Sequence, residues 1–97
     1  MLMLYSIQWI GTYNQFKQYL ENVKALSSTI AGVTFKGVYI PSDEWNYTLL
    51  FELDQYANSI QLYQTFVKKY LQPDNRSNIA LGKWTLLHAP EELGFPV

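Results

Sequence analysis

Cysteine is absent from this chain of 97 residues, and histidine occurs only once. Without cysteine, the sequence excludes disulfides, thiol chemistry and thiolate zinc sites. A single histidine also excludes a cluster of histidine ligands, so we expect no metal site. Lys and Arg number 7 against 8 Asp and Glu, which leaves no positive excess to neutralise nucleic-acid phosphates or an anionic membrane. Neither nucleic acid nor membrane is therefore expected as a partner.

Long apolar runs and targeting signals are missing as well. No segment approaches the roughly 18–20 apolar residues that a membrane-spanning helix needs. Residues 1–6 lack the positive region and the cleavage site of a secretory signal, so the cytoplasm is the expected location by default. The short motifs of nucleotide-binding loops, α/β-hydrolases and zinc proteases do not occur, and we expect no cofactor.

The residues that are abundant predict one folded domain. The hydrophobic class makes up 48% of the chain, aromatic residues 16% and charged residues 15%, which is typical of a globular protein. The length allows one hydrophobic core, so residues 1–97 are treated as a single domain. Within it, residues 89–97 form a C-terminal tail, and Leu93 and Phe95 suggest that this tail docks on another surface.

The spacing of apolar residues predicts a βαββαβ order. Alternation of apolar and polar residues indicates strands at residues 4–10, 33–40, 47–53 and 83–88. Repeats of three to four residues indicate one helix between the first two strands and another between the last two. This is an α+β domain of ferredoxin-like layout, with a four-stranded antiparallel sheet. Right-handed crossovers and a short middle hairpin predict the strand order 4-1-3-2, with both helices on one face.

Both helices have sequence signals at their ends. Thr12 and Gln15 have the spacing of a capping box, in which each side chain bonds to the other residue's backbone amide. Asn58 and Gln61 offer the same arrangement at the second helix. Pro73 is expected to end that helix, because proline disfavours helical geometry in the residue before it.

The middle hairpin can be aligned by its side chains. Placing Lys36 opposite Glu52 forms a charge pair and sets Val38 against Leu50. The same register places Tyr39 on the face that the helices cover. The residues expected on the face without helices are Leu4, Ser6, Gln8, Ile10, Lys36, Val38, Ile40, Thr48, Leu50 and Glu52.

The predicted face without helices is unusually apolar. Five of its ten residues are aliphatic, whereas a solvated antiparallel face is normally polar. At ~25 cal/mol per Å², leaving them in water forgoes several kcal/mol. That is a large share of the roughly 5–15 kcal/mol that stabilises a domain. We therefore expect a second copy of the chain to cover this face around a two-fold axis.

The length, the βαββαβ order and the half-apolar open sheet resemble the dimeric α/β-barrel superfamily of ferredoxin-like domains, over nearly the whole chain. That superfamily includes small cofactor-independent monooxygenases, isomerases and dehydratases. The resemblance implies a homodimer whose sheets enclose a barrel. Small molecules would then bind inside the barrel or between sheet and helices. Its families differ in their catalytic residues, so the resemblance assigns none here.

His88 and Glu52 are the candidate catalytic residues. Histidine is the side chain whose unperturbed pKa lies near neutrality, and His88 ends the predicted fourth strand, where it can reach a barrel mouth. Glu52 becomes a base if a partner's burial desolvates it. The structural alternatives are a hydrogen-bonded histidine at the rim and a simple ion pair between Glu52 and Lys36.

Four further residues are candidate ligand contacts: Gln8, Tyr39, Trp45 and Trp84. Gln8 can hydrogen-bond a polar group of a ligand, unless it forms a hydrogen bond across the dimer interface instead. Tyr39 is a further candidate for proton transfer. Trp45 lies in the hairpin loop, where a large apolar side chain predicts a partner contact or a lid, unless it folds back onto its own sheet. Alternation alone leaves open which face Trp84 takes.

Three functions are compatible with these features. The first is a homodimer that binds a small, partly apolar molecule, either as a binder or as a cofactor-independent enzyme. The second is a dimerisation or assembly module with a filled interior and no ligand site. The third is RNA binding, because the RNA recognition motif shares the βαββαβ order. It is disfavoured, because the net charge is -1 and the motif's basic and aromatic octamer is missing.

Overall fold

A computed structural model describes residues 1–70 and 78–95 of the chain. They form the predicted α+β arrangement in the order βαββαβ, followed by one turn of 3-10 helix. The predicted stop at Pro73 and the last two residues of the tail lie outside the described residues. The strands are β1 (Leu2–Trp9), β2 (Val33–Tyr39), β3 (Tyr47–Leu53) and β4 (Ile79–Leu87); the helices are α1 (Tyr13–Ser27), α2 (Ala57–Tyr70) and the 3-10 turn Pro90–Leu93.

The four strands form one antiparallel sheet. Their order is β2-β3-β1-β4, which is read as 4-1-3-2 from the β4 edge. Each strand runs antiparallel to its neighbours, and β1 pairs with both β3 and β4. The two central strands are therefore β1 and β3. Each helix connects two strands that have one other strand between them: α1 connects β1 to β2, and α2 connects β3 to β4.

Both helices pack on the same face of the sheet. Phe16 of α1 stacks on Tyr47 with ring centroids 3.6 Å apart, and Phe66 of α2 meets Phe51 edge-on at 5.8 Å. The hydrophobic core fills the space between this face and the helices. The sheet residues buried there include Met3, Tyr5, Ile7, Leu49, Phe51 and Leu53.

The predicted capping box begins α1. Thr12 Oγ1 accepts a hydrogen bond from the Gln15 amide at 3.1 Å, and Gln15 Oε1 accepts one from the Thr12 amide at 2.7 Å. The corresponding prediction for α2 is wrong, because Asn58 lies within the helix. The buried Asn58 side chain accepts a bond from the Gln55 amide and donates one to the Ala31 carbonyl. Asn58 thus joins the start of α2 to the turn between α1 and β2.

The predicted register of the β2–β3 hairpin is wrong. Thr34, and not Lys36, lies opposite Glu52, and Gly37 lies opposite Leu50. Lys36 is therefore an extra residue in β2, and the pair contains a β-bulge. Gly37 adopts a φ of 139°, a backbone conformation that suits glycine. Lys36 still reaches Glu52, with Nζ 3.7 Å from Oε2, so the predicted charge pair forms diagonally.

The bulge exchanges the faces of the residues that follow it. Val38 lies opposite the buried Leu49 on the helix-covered face, although alternation placed it on the other side. Tyr39 lies opposite Thr48 on the face without helices and is 56% exposed, although it was expected to be covered. Assigning faces by alternation assumes that the strand contains no bulge, so the predicted faces are wrong from Lys36 onward.

Candidate functional site

The sheet face opposite the helices, here called the open face, is the first candidate site. The strand register arranges its side chains in rows that cross the sheet from β2 to β4. Row one holds Thr34, Glu52, Leu2 and Leu87; row two holds Gly37, Leu50, Leu4 and Thr85; row three holds Tyr39, Thr48, Ser6 and Lys83; and row four holds Gln8 and Leu81.

Leucine side chains dominate the ends of the open face. Leu2, Leu81 and Leu87 are 37%, 53% and 43% exposed. In row two, the half-buried Leu4 and Leu50 lie directly opposite each other on the two central strands. No described element packs over these residues in the single chain. The open face thus carries five leucines among the fourteen residues of its rows, where a solvated sheet would be polar.

The aliphatic residues of this face differ in part from those predicted. Leu4 and Leu50 lie on it, but Val38 lies on the helix-covered face because of the bulge. Ile10 and Ile40 are exposed just beyond the ends of their strands. Three leucines that the prediction omitted, Leu2, Leu81 and Leu87, also lie on this face. Leu2 and Leu81 lie outside the predicted strands, which are shorter than β1 and β4. Leu87 lies within the predicted fourth strand, whose faces the alternation left open.

Row three is polar across its whole width. Ser6 Oγ and Thr48 Oγ1 are 3.1 Å apart and form a hydrogen bond between the two central strands. Tyr39 lies beside Thr48 on β2, and Lys83 lies beside Ser6 on β4. Among residues 1–70 and 78–95, the ion pairs formed do not involve Lys83.

The second candidate site is a pocket that contains both predicted catalytic residues, His88 and Glu52. The cavity has a volume of about 350 Å³ and lies at the row-one end of the open face. Leu2 and Leu87 give it apolar walls, and Glu92 contributes a second carboxylate. His88 Nδ1 lies 3.8 Å from Glu92 Oε2, close enough for an ion pair when the imidazole is protonated. The pocket therefore combines a histidine, two carboxylates and apolar surface.

The 3-10 turn is what brings Glu92 back to His88. Pro90 occupies the first position of the turn, where its missing amide costs nothing. Glu92 Oε1 accepts a hydrogen bond from the Ala89 amide at 3.3 Å, and Gly94 ends the turn at a φ of 82°. Glu92 was not among the predicted site residues, although proline followed by two glutamates is a recognisable start of a helical turn.

Two of the predicted ligand contacts lie on the open face but away from the His88 pocket. Gln8 is in row four, where its Nε2 lies 3.5 Å from the Glu44 carbonyl. Six residues separate it from Leu2, or about 20 Å of strand. Tyr39 lies in row three. Neither residue lines the pocket that His88 and Glu52 share.

The two predicted tryptophan contacts lie elsewhere. Trp45 is half-buried in the β2–β3 loop, and its amide donates a hydrogen bond to Asp43 Oδ1 at 2.9 Å. Trp84 faces the helices, where its ring stacks on Tyr5 with centroids 4.1 Å apart. Together with Tyr63, these two rings line a shallow cavity of about 280 Å³ at the β4 edge. The structure thus places Trp84 beside the core and not on the open face.

Tyr5 is a buried titratable group whose surroundings oppose its ionisation. Burial raises its pKa to about 12, and the nearby Tyr63 adds to the shift. The Tyr5 hydroxyl lies over Gly82, where the absence of a side chain leaves it room. The Tyr5 phenol stays protonated at neutral pH, and its ring packs in the hydrophobic core.

Comparisons with models of known protein families, with curated proteins and with solved structures found no match. Within the described ranges, no three side chains among His, Cys, Asp and Glu are grouped so that they could hold a metal ion. Neither α1 nor the described α2 is long and apolar enough to cross a membrane. Function is therefore inferred from the open face and the His88 pocket.

Proposed function

We propose that this chain forms a homodimer in which the open faces of two copies pack together and enclose a site for a small, partly apolar molecule. The sheet order and the two helices on one face agree with a ferredoxin-like layout. A two-layer domain of this kind leaves one sheet face bare. The uncovered leucines of that face are the observation that carries the proposal.

The free energy available from covering these leucines is substantial. Leu2, Leu81 and Leu87 each keep between 37% and 53% of their surface exposed. Completing their burial contributes about 1 kcal/mol per side chain, and two copies bring six of them together. The four strands present a projected area of roughly 450 Å². That projected area is a little over half of the ~800 Å² per partner that a standard interface buries, before the relief of the side chains is added.

The open face also has the symmetry that a second copy requires. A two-fold interface brings the same surface together from both copies, so it must be self-complementary. Leu4 and Leu50 occupy equivalent places on the two central strands, as do Ser6 and Thr48 in the next row. A two-fold axis parallel to β1 and β3, running midway between the two copies, places Leu4 of one copy across from Leu50 of the other, with the enclosed site between them. It also places the hydroxyl groups of Ser6 and Thr48 on facing walls of that site.

The His88 pocket supports a small molecule as ligand. It opens onto row one of the open face, so a second copy would close the side that is now exposed. Its apolar walls and few polar groups are typical of sites for small, partly apolar ligands. If the domain is an enzyme, His88 is the group that exchanges a proton with the substrate, and Glu52 is the carboxylate on the opposite wall.

The test is the mass of the protein in solution, measured by sedimentation equilibrium at micromolar concentrations. We expect twice the 11.3 kDa of one chain. The variant Leu50→Lys places a charge at the centre of the open face and is expected to weaken dimerisation at least tenfold. Ile60→Lys is the matched control, because Ile60 is 48% exposed on α2, away from the open face. A wild-type monomer would refute the proposal.

A further inference from the structure

Lys83 leaves the open face with an unbalanced positive charge. Three charged residues lie on this face, and two of them, Lys36 and Glu52, form an ion pair with each other. Lys83 has no such partner among the residues that the structure describes. Closing two copies over the face would therefore enclose two unmatched ammonium groups. A charge taken out of water needs a counter-charge or hydrogen-bond partners.

The neighbours of Lys83 can supply further hydrogen bonds to an anion. Ser6 lies directly opposite Lys83, and its hydroxyl is bonded to that of Thr48. Tyr39 completes the row on the far side of Thr48. Lys83 and Tyr39 can each donate a hydrogen bond to an anion, and so can whichever hydroxyl accepts the bond between Ser6 and Thr48. Row three is thus a line of donors with an ammonium group at one end.

We infer that row three binds the carboxylate of a small molecule whose apolar part lies on Leu4 and Leu50 in row two. This inference rests on the proposed dimer, because the second copy is what encloses the face. Four residues of β1 separate row three from row one, or about 13 Å. A molecule with its carboxylate at Lys83 therefore directs its far end toward the pocket that contains His88.

A structural role for Lys83 gives a different expectation. Lysine on an edge strand such as β4 often serves to prevent pairing with another sheet. In that role its charge would point to solvent and would not distinguish a carboxylate from an uncharged group. The two roles therefore differ in ligand preference and not in stability.

The experiment compares octanoate with 1-octanol, which has the same chain and no charge, by isothermal titration at pH 7 and low salt. We expect octanoate to bind at least tenfold more tightly. Lys83→Met is expected to abolish this preference. Lys17→Met is the control, because Lys17 lies on α1 over the Tyr13 ring and away from the open face.

The mass of each sample is measured in parallel, so that the two proposals are tested separately. A monomer would overturn the dimer and, with it, the carboxylate site. A dimer that binds both ligands equally, or that binds neither, would overturn the carboxylate site alone. A preference for octanoate that survives in Lys83→Met would also overturn it. Loss of the preference in Lys83→Met but not in Lys17→Met supports the assignment.

Discussion

Replacing Gly82 by alanine tests how tightly the β4 edge packs against the core. A Cβ atom at this position would lie 2.6 Å from Tyr5 Oη, 2.8 Å from Cε1 and 3.0 Å from Cζ. Carbon atoms in good contact lie about 3.5–4.0 Å apart, so the ring would have to move. The ring is confined, because it stacks on Trp84 and meets Phe66 edge-on.

The expected loss of stability follows from two opposing effects. Overpacking of a filled core costs about 1–3 kcal/mol. Alanine also restricts the unfolded chain, which recovers about 0.4–1 kcal/mol. We therefore expect Gly82→Ala to lower the free energy of unfolding by about 1–2 kcal/mol.

Urea unfolding at a fixed protein concentration measures this loss. Repeating the substitution in a Tyr5→Phe background removes the closest of the three contacts, so the cost should be smaller there. A Gly82→Ala protein as stable as the wild type would refute the packing argument. An equal cost in both backgrounds would show that the Tyr5 hydroxyl is not the obstacle.

Three further predictions concern single side chains. Burial raises the pKa of Tyr5 to about 12, so the unfolded chain loses this proton from about pH 10 while the folded chain keeps it. The free energy of unfolding should therefore fall by about 2–3 kcal/mol between pH 10 and 12. Tyr5→Phe should remove that fall, and an unchanged pH profile would contradict the assignment. Asn58→Ala leaves the Ala31 carbonyl and the Gln55 amide without their partner and should lower the free energy of unfolding in urea by about 2–3 kcal/mol. Gln64→Ala, at an exposed position of the same helix, should change it little. Thr12→Ala removes the cap of α1 and should lower the free energy of unfolding by about 1 kcal/mol, seen as a lower melting temperature. Thr12→Ser keeps the hydroxyl and should melt close to the wild type.

Local patterns predicted the core of this fold well. Side chains of a strand alternate between faces, so Tyr5, Ile7 and Phe51 could be assigned to the helix-covered face from their spacing, and they are buried there. The cap at Thr12 depends on residues three apart and could likewise be found from the sequence alone. In both cases the interaction that determines the structure lies within a few residues of the chain.

Features that depend on pairing between distant strands could not be predicted in the same way. The sequence gives no direct sign that Lys36 is an extra residue, since that is decided by the register against β3. The first half of β4 contains Ala80 and Gly82, which have low strand propensity, and it forms a strand because β1 supplies its hydrogen-bond partners. His88 and Glu52 likewise line one pocket only because β1 lies between β3 and β4.

The bulge in β2 has a consequence for how this chain can change in length. Removing Lys36 would leave Phe35 and Val38 on the helix-covered side and Tyr39 on the opposite one, because Gly37 alone would then face Leu50. The edge strand β2 pairs with one neighbour, so a change of length shifts one register. An insertion in the central strand β1 would shift its register with both β3 and β4. The edge strand β2 can therefore lose or gain one residue at the bulge. The residues after the bulge are constrained in type, because they still alternate between the core and the open face.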